Sequence, residues 1–120
     1  MLRLFLLTVA LACFILPVHA ADKVERRCGW FENPTPANAT LTDRDGVWEI
    51  ASQGGYQAEG DWPQFSDEQW VPTNRNHGYG CSCITASADA DTHRLNNLTK
   101  AIARPLAACR NDATLQEPLL

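Results

Sequence analysis

The sequence lacks the features that mark several common classes of protein. It has no excess of positive charge, since 10 Lys and Arg residues face 14 Asp and Glu residues for a net charge of −4. That balance argues against nucleic acid and against an anionic membrane surface as partners. There is no internal repeat, no low-complexity linker and no serine in a nucleophile-elbow pattern. A single small domain with no recognisable catalytic set is therefore expected.

A long hydrophobic run is also missing, because the apolar segment at the start of the chain is too short for a membrane anchor. Arg3 precedes the apolar stretch Leu4–Leu16, which breaks at Pro17 and leads to a small residue, Ala20. A transmembrane helix needs about 20 apolar residues, whereas a cleaved signal peptide has this shorter pattern. We therefore predict that residues 1–20 are a signal peptide and that no stable membrane anchor remains after cleavage. Loss of Arg3 would make the net charge one unit more negative.

The predicted mature chain does contain several cysteines. Cys13 falls in the apolar signal segment, which leaves an even set of four: Cys28, Cys81, Cys83 and Cys109. In an exported protein such a set predicts two disulfides. A bond between Cys81 and Cys83 would close a very small ring, so two pairings stay open, 28–81 with 83–109 or 28–83 with 81–109. Zinc sites usually contain two C-x₂₋₄-C pairs, which this chain lacks, so we predict no metal.

The clearest local signal is a β-hairpin. The strand-like segments 40–42 and Val47–Ile50 flank the turn sequence Asp43–Gly46, whose Asp-Gly pair suits a tight turn. The same acids superficially suggest a calcium loop, but an EF-hand needs Gly at its sixth position and Glu at its twelfth. Counted from Asp43, those positions hold Trp48 and Gly54. The pattern therefore favours the hairpin.

The remaining segments predict further strands and short helices. Ser66 and Gln69 form a capping-box pattern that favours a short helical turn, and Leu106–Asn111 is expected to be a short helix or turn. Residues 93–103 alternate loosely and favour a strand, although their leucines would also suit one face of a helix. We predict an α+β, mostly β fold: a small antiparallel sheet with one or two short helices, stapled by two disulfides.

Four regions follow from these assignments. Residues 1–20 are the signal peptide, residues 21–27 a flexible lead-in, residues 28–111 a single disulfide-stapled domain, and residues 112–120 a loose C-terminal tail.

One stretch could present a binding surface. Three glycines surround Tyr56, and Trp62 follows next to a proline, so Gly54, Gly55, Tyr56 and Trp62 are the candidate binding surface. Exposed rings there would suit a sugar or a protein partner, whereas buried rings would only fill a small core. No catalytic residue is assigned. The acidic residues considered for glycoside cleavage are Glu59, Asp61, Asp67 and Glu68.

Several motifs together resemble a known family. They are Arg27–Pro36, Leu41–Gly46, Gln53–Ala58, Gly78–Cys83 and Arg104–Leu106 with Cys109-Arg110. In combination they are similar to the small exported bacterial proteins called domain of unknown function 4087 (DUF4087). The resemblance implies a bacterial, periplasmic setting and brings no activity, cofactor or catalytic residue.

We therefore expect a periplasmic or secreted binding or interaction module without enzymatic activity or cofactor. Its partner would be a protein or a cell-envelope glycan. The alternatives are a small hydrolase that acts on cell-envelope polymers and a structural component of the envelope.

Overall fold

The computed structural model describes residues 10–16 and 22–119. Most of the predicted signal peptide, the first residue of the predicted lead-in and the last residue of the tail lie outside the described residues. Residues 10–16 are exposed and without regular secondary structure. Within the described ranges, no helix has the length and apolar character that crossing a membrane requires.

Six strands and two short helical segments make up residues 22–119. In chain order they are β1 (Lys23–Thr35), β2 (Asn38–Asp43), β3 (Gly46–Ala51), a 3₁₀ turn (Asp67–Gln69), β4 (Trp70–Asn74), β5 (His77–Asp89), β6 (Arg94–Arg104) and α1 (Leu106–Arg110).

The sheet closes on itself. Its strand order is β1-β2-β3-β6-β5-β4, and β1 also pairs with β5, so that β1, β2, β3, β6 and β5 form a ring with β4 outside it. Strands in a ring of five cannot all run antiparallel to both neighbours, because five is an odd number. The exception is the parallel contact between β3 and β6, at Glu49 and Arg94. The prediction of an antiparallel sheet is thus only partly confirmed, since the sheet is mixed. This closed ring of five strands resembles the five-stranded barrel of the OB-fold.

Ring closure depends on the long pairing of β1 with β5, which runs from Lys23 opposite Ala88 to Asn33 opposite Gly78. The structure here differs from the expected flexible lead-in, because Lys23 to Arg27 are already part of β1. Their backbone groups have partners on β5, and the Arg27 side chain forms ion pairs. Strand β1 therefore starts five residues before Cys28.

The ring interior holds the main core. Its buried residues are Phe31, Ala39, Leu41, Trp48, Ile50, Ala51, Ile84, Ala86, Ala88, Leu95 and Leu98. A second, smaller cluster packs on the other side of β1 and β5, where α1 and the tail cover it. It consists of Trp30, Tyr79, Cys81 and Cys109, with Leu106 and Leu115 against it. The tail residue Glu117 also accepts a hydrogen bond from Tyr79, so the segment expected to be loose makes specific contacts.

Two disulfides staple the fold, as predicted. Cys28 is bonded to Cys83 and Cys81 to Cys109, which selects one of the two pairings left open by the sequence. Cys28 and Cys83 are directly opposed on β1 and β5. Alternating side chains put Cys81 on the same side of β5 as Cys83, where α1 brings Cys109 to it. Two disulfides indicate a non-cytoplasmic protein.

The local predictions agree well with the strands and helices. The hairpin turn joins β2 to β3, residues 94–104 are a strand, and α1 lies where a short helix was expected. The capping box at Ser66 and Gln69 is present, but it opens only a 3₁₀ turn, after which the chain enters β4 at Trp70. Pro72 is tolerated there because β4 pairs with β5 alone, at the edge of the sheet.

Candidate functional site

A surface groove runs across the point where β3 meets β6, and we call it the seam groove. It encloses about 440 Å³ and is lined by Thr40, Val47, Glu49, Ser52, Thr92, His93 and Arg94. Its residues come from β2, β3 and the residue after it, the turn between β5 and β6, and the first residue of β6. The groove exists because the parallel contact brings Glu49 and Arg94 side by side.

An ion pair lies in this groove. Arg94 Nε donates a hydrogen bond to Glu49 Oε1 at 2.7 Å, and Ser52 Oγ donates to the second carboxylate oxygen. The hydrogen bond from Ser52, followed by that from Arg94, holds the pKa of Glu49 below its ordinary value. Glu49 is therefore an acceptor at neutral pH. The Arg94 side chain remains 45% exposed, so its other guanidinium nitrogens can reach a ligand.

Tyr56 lies beside the groove and contacts one of its lining residues, Arg94. The guanidinium carbon of Arg94 lies 4.6 Å from the centre of the tyrosine ring. The ring is held in place because Tyr56 Oη donates a hydrogen bond to the Leu95 carbonyl at 2.7 Å. Burial raises the pKa of Tyr56 above its ordinary value. The phenol thus stays neutral and serves as a fixed, partly exposed ring.

The candidate binding surface taken from the sequence is divided by the fold. Gly54 and Gly55 are exposed in the turn after β3, where Gly54 has φ of +75°. Trp62 instead packs at the ring interior, with its ring 5.7 Å from that of Phe31. Of the four residues, Tyr56 is the one that contacts the seam groove.

His93 forms the wall of the groove in a left-handed backbone conformation, with φ of +53°. Its ring stacks on Trp48 at a centroid distance of 4.1 Å, and its Nδ1 lies 3.1 Å from the Val47 carbonyl oxygen. A carbonyl can only accept, so Nδ1 carries the proton and Nε2 is the acceptor of the neutral ring. The histidine can therefore accept a hydrogen bond from a ligand.

Sequence reasoning missed most of this site. Glu49 and Arg94 are 45 positions apart, and the parallel contact that joins them leaves no local pattern. His93 lies in the turn between β5 and β6, and nothing in its neighbours along the chain indicates that it stacks on Trp48. The groove could have been predicted only from the closure of the ring, because that closure brings β3 and β6 together.

A second groove lies at one end of the ring, and we call it the arginine cleft. It encloses about 460 Å³ and is lined by Glu25, Arg26, Arg27, Cys28, Asp43, Arg44, Asp45, Asp112 and Thr114. Arg27 is its centre, because it pairs with three carboxylates, those of Glu25, Asp43 and Asp45.

The Arg27 network joins a buried carboxylate, that of Asp43, to two more exposed ones. Arg27 Nη1 lies 2.8 Å from Asp43 Oδ2, and the guanidinium carbon lies 4.0 Å from the centre of the Trp48 ring. Burial alone would lower the pKa of Arg27, but hydrogen bonds to Asp43, Asp45 and Glu25 outweigh it and raise the pKa above its usual range. The hydrogen bond from Arg27 also lowers the pKa of Asp45. This network closes one end of the ring and supports Trp48, on which His93 stacks.

The acids considered for hydrolysis lie elsewhere. All four are exposed, two in the loop before the 3₁₀ turn and two within that turn, and none lines the seam groove or the arginine cleft: Glu59, Asp61, Asp67 and Glu68. Among residues 10–16 and 22–119, no three His, Cys, Asp or Glu side chains are grouped so that they could hold a metal ion.

Comparison with known proteins gives one match. No curated protein and no solved structure matches the chain. A family model described as "Protein of unknown function (DUF4087)" matches residues 22–116. The match covers all six strands and α1, including both disulfides, and it confirms the resemblance found in the sequence. The chain belongs to the DUF4087 family.

Proposed function

We propose that this protein is a non-enzymatic binding module of the periplasm or the extracellular space that binds a cell-envelope glycan in the seam groove. The observation that carries the proposal is the paired Glu49 and Arg94, set among hydroxyl side chains beside a fixed tyrosine ring.

The chemistry of the groove suits a sugar chain. Glu49 offers carboxylate acceptors and Arg94 offers a planar set of donors, a combination that matches neighbouring hydroxyl groups on a sugar ring. Thr40, Ser52 and Thr92 add hydroxyls that can donate or accept. A few fixed polar groups in a concave surface are the usual basis of specificity in such sites.

The position of the groove also supports a glycan ligand. In OB-folds, oligosaccharides and oligonucleotides bind across the second and third strands and the loops beside them. The seam groove occupies this place, over β2, β3 and the turn between β5 and β6. The comparison with OB-folds is an analogy of fold. The acidic net charge of the chain favours the saccharide over the nucleic acid.

An export route fits the same proposal. The first twenty residues have the pattern of a signal peptide, and two disulfides are typical of proteins in an oxidising compartment. A small domain stapled in this way would keep its groove rigid, and rigidity reduces the entropy lost when a ligand binds.

A co-sedimentation assay with purified peptidoglycan sacculi tests the proposal. Wild-type protein should pellet with sacculi, and Arg94→Met should weaken binding at least tenfold, because methionine keeps packing on Tyr56 but donates no hydrogen bond. Arg110→Met is the matched control, since Arg110 is equally exposed and also pairs with a glutamate through Nε, but on α1. Failure of the wild type to pellet, or equal binding by both variants, would refute the proposal.

A further inference from the structure

The two disulfides of this protein differ in access. Cys28 is exposed and lines the arginine cleft, whereas its partner Cys83 is only 2% exposed. Cys81 and Cys109 are both buried, at 3% and 2%. An external thiol can therefore approach one sulfur of the first bond and neither sulfur of the second.

A cation lies next to the buried sulfur of the accessible bond. Arg104, at the end of β6, places Nη1 3.4 Å from Cys83 Sγ. A guanidinium beside a cysteine stabilises the thiolate over the thiol. In thiol–disulfide exchange, the rate rises when the leaving sulfur forms a stable thiolate. Arg104 is placed to stabilise Cys83 as a leaving group.

We propose that Cys28–Cys83 is a thiol–disulfide exchange site whose co-reactant is an external dithiol, and that Cys81–Cys109 is a permanent staple. A thiolate of the dithiol attacks Cys28 Sγ, the Cys28–Cys83 bond breaks, and Cys83 leaves as a thiolate beside Arg104. The second thiol of the co-reactant then attacks the mixed disulfide and releases the Cys28 thiolate. The dithiol is oxidised to a disulfide by two electrons, the bond in this protein is reduced, and its two thiolates take up two protons.

The fold can accommodate this reduction without unfolding. Cys28 and Cys83 face each other in the β1–β5 ladder, and the neighbouring pairs Arg27 with Ile84 and Gly29 with Ser82 keep the strands aligned. The Cys81–Cys109 bond continues to hold α1 on β5. Reduction is therefore local and reversible, and the site does not depend on glycan binding.

Stepwise reduction with dithiothreitol, followed by alkylation and peptide mass mapping, tests the proposal on the full mature domain. After reduction under native conditions, an acid quench and alkylation in denaturant, Cys28 and Cys83 should be alkylated while Cys81–Cys109 stays intact, and the far-ultraviolet circular dichroism of the reduced protein should not change. Release of Cys81–Cys109 first, or of both bonds together, would overturn the proposal.

The role of Arg104 needs a separate measurement. Arg104→Met should slow the native-state reduction of Cys28–Cys83 at least threefold and should raise the pH at which the reduced protein gains thiolate absorbance at 240 nm. Arg75→Met, which alters an exposed arginine in the turn between β4 and β5, should change neither value. A wild-type rate and an unchanged thiolate titration in Arg104→Met would show that Arg104 does not activate the leaving group. A purely structural role would change the urea midpoint without moving the titration.

Discussion

Replacing Arg27 by methionine should destabilise the protein by about 3.5–4 kcal/mol, because the substitution leaves a buried carboxylate without its cation and removes a cation–π contact. Asp43 is 5% exposed at its side chain, and Arg27 Nη1 donates to its Oδ2 at 2.8 Å. Methionine retains the aliphatic contact with Trp48, so the change isolates the loss of charge and hydrogen bonds.

The magnitude follows from the bonds that are lost and kept. Removal of one partner of a buried ion pair costs about 3–5 kcal/mol. The lower end applies here, because Oδ1 of Asp43 keeps its bonds from Trp48 Nε1 and from the Asp45 backbone N–H. Loss of the cation–π contact with Trp48 adds about 0.5–1 kcal/mol to the cost.

Urea unfolding followed by tryptophan fluorescence measures this cost in a double-mutant cycle. The double variant Arg27→Met with Asp43→Asn should recover at least half of the lost stability, since asparagine needs no counter-charge and can still accept from Trp48. A cost below 1 kcal/mol for Arg27→Met would refute the reasoning. So would additivity of the two substitutions within about 0.5 kcal/mol, which would mean that the groups do not interact.

Three further predictions concern the scaffold. Gly29→Ala should cost about 3 kcal/mol or prevent folding, because the added Cβ would lie 2.1 Å from the Thr42 carbonyl oxygen. Gly55→Ala, whose Cβ meets only ordinary contacts, should leave the free energy of unfolding, measured with urea, within about 0.5 kcal/mol of wild type. Burial raises the pKa of Glu32 in the folded state, so its ionisation opposes folding as the pH rises. Glu32→Gln should therefore raise Tm at pH 7, and the gain should vanish below about pH 4, where the wild-type carboxyl is protonated; an equal gain at both pH values would contradict this cause. Cys109→Ser should cost about 3–4 kcal/mol from loop-closure entropy over a separation of 28 residues, measured by urea unfolding, and a cost under 1 kcal/mol would count against a structural role for that bond.

The elements that were predictable from sequence are those whose cause is local. The Asp43–Gly46 turn depends on residues that are adjacent in the chain, and the structure has the hairpin at that place. The capping box at Ser66 and Gln69 was also found, although the helix after it is a single 3₁₀ turn, because Trp70 onward pairs with β5. Local propensity gave the start of the element and tertiary pairing decided its length.

What could not be predicted depends on contacts distant in the chain. Four of the five residues from Lys23 to Arg27 are charged, which predicts a flexible lead-in, yet they form a strand because β5 provides their backbone partners. The disulfide pairing stayed open for a similar reason, since the choice between Cys81 and Cys83 depends on which one lies opposite Cys28.

The candidate site shows the same division. Tyr56 was selected from a glycine-rich stretch, and it does contact the seam groove, but the glutamate and arginine that give the groove its chemistry drew no attention. Trp62 looked equally suited to a surface and instead packs beside Phe31. Composition can suggest that an aromatic residue is important without indicating which side of the sheet it faces.

The central claim, that the seam groove binds an envelope glycan, is tested most directly by nuclear magnetic resonance. Soluble peptidoglycan fragments should be titrated into ¹⁵N-labelled mature protein while the backbone amide shifts are followed. We expect saturable shifts at the amides of residues 47–52 and 92–94, with the amides of α1 unchanged. No saturable shift, or shifts confined to α1 and the tail, would contradict it.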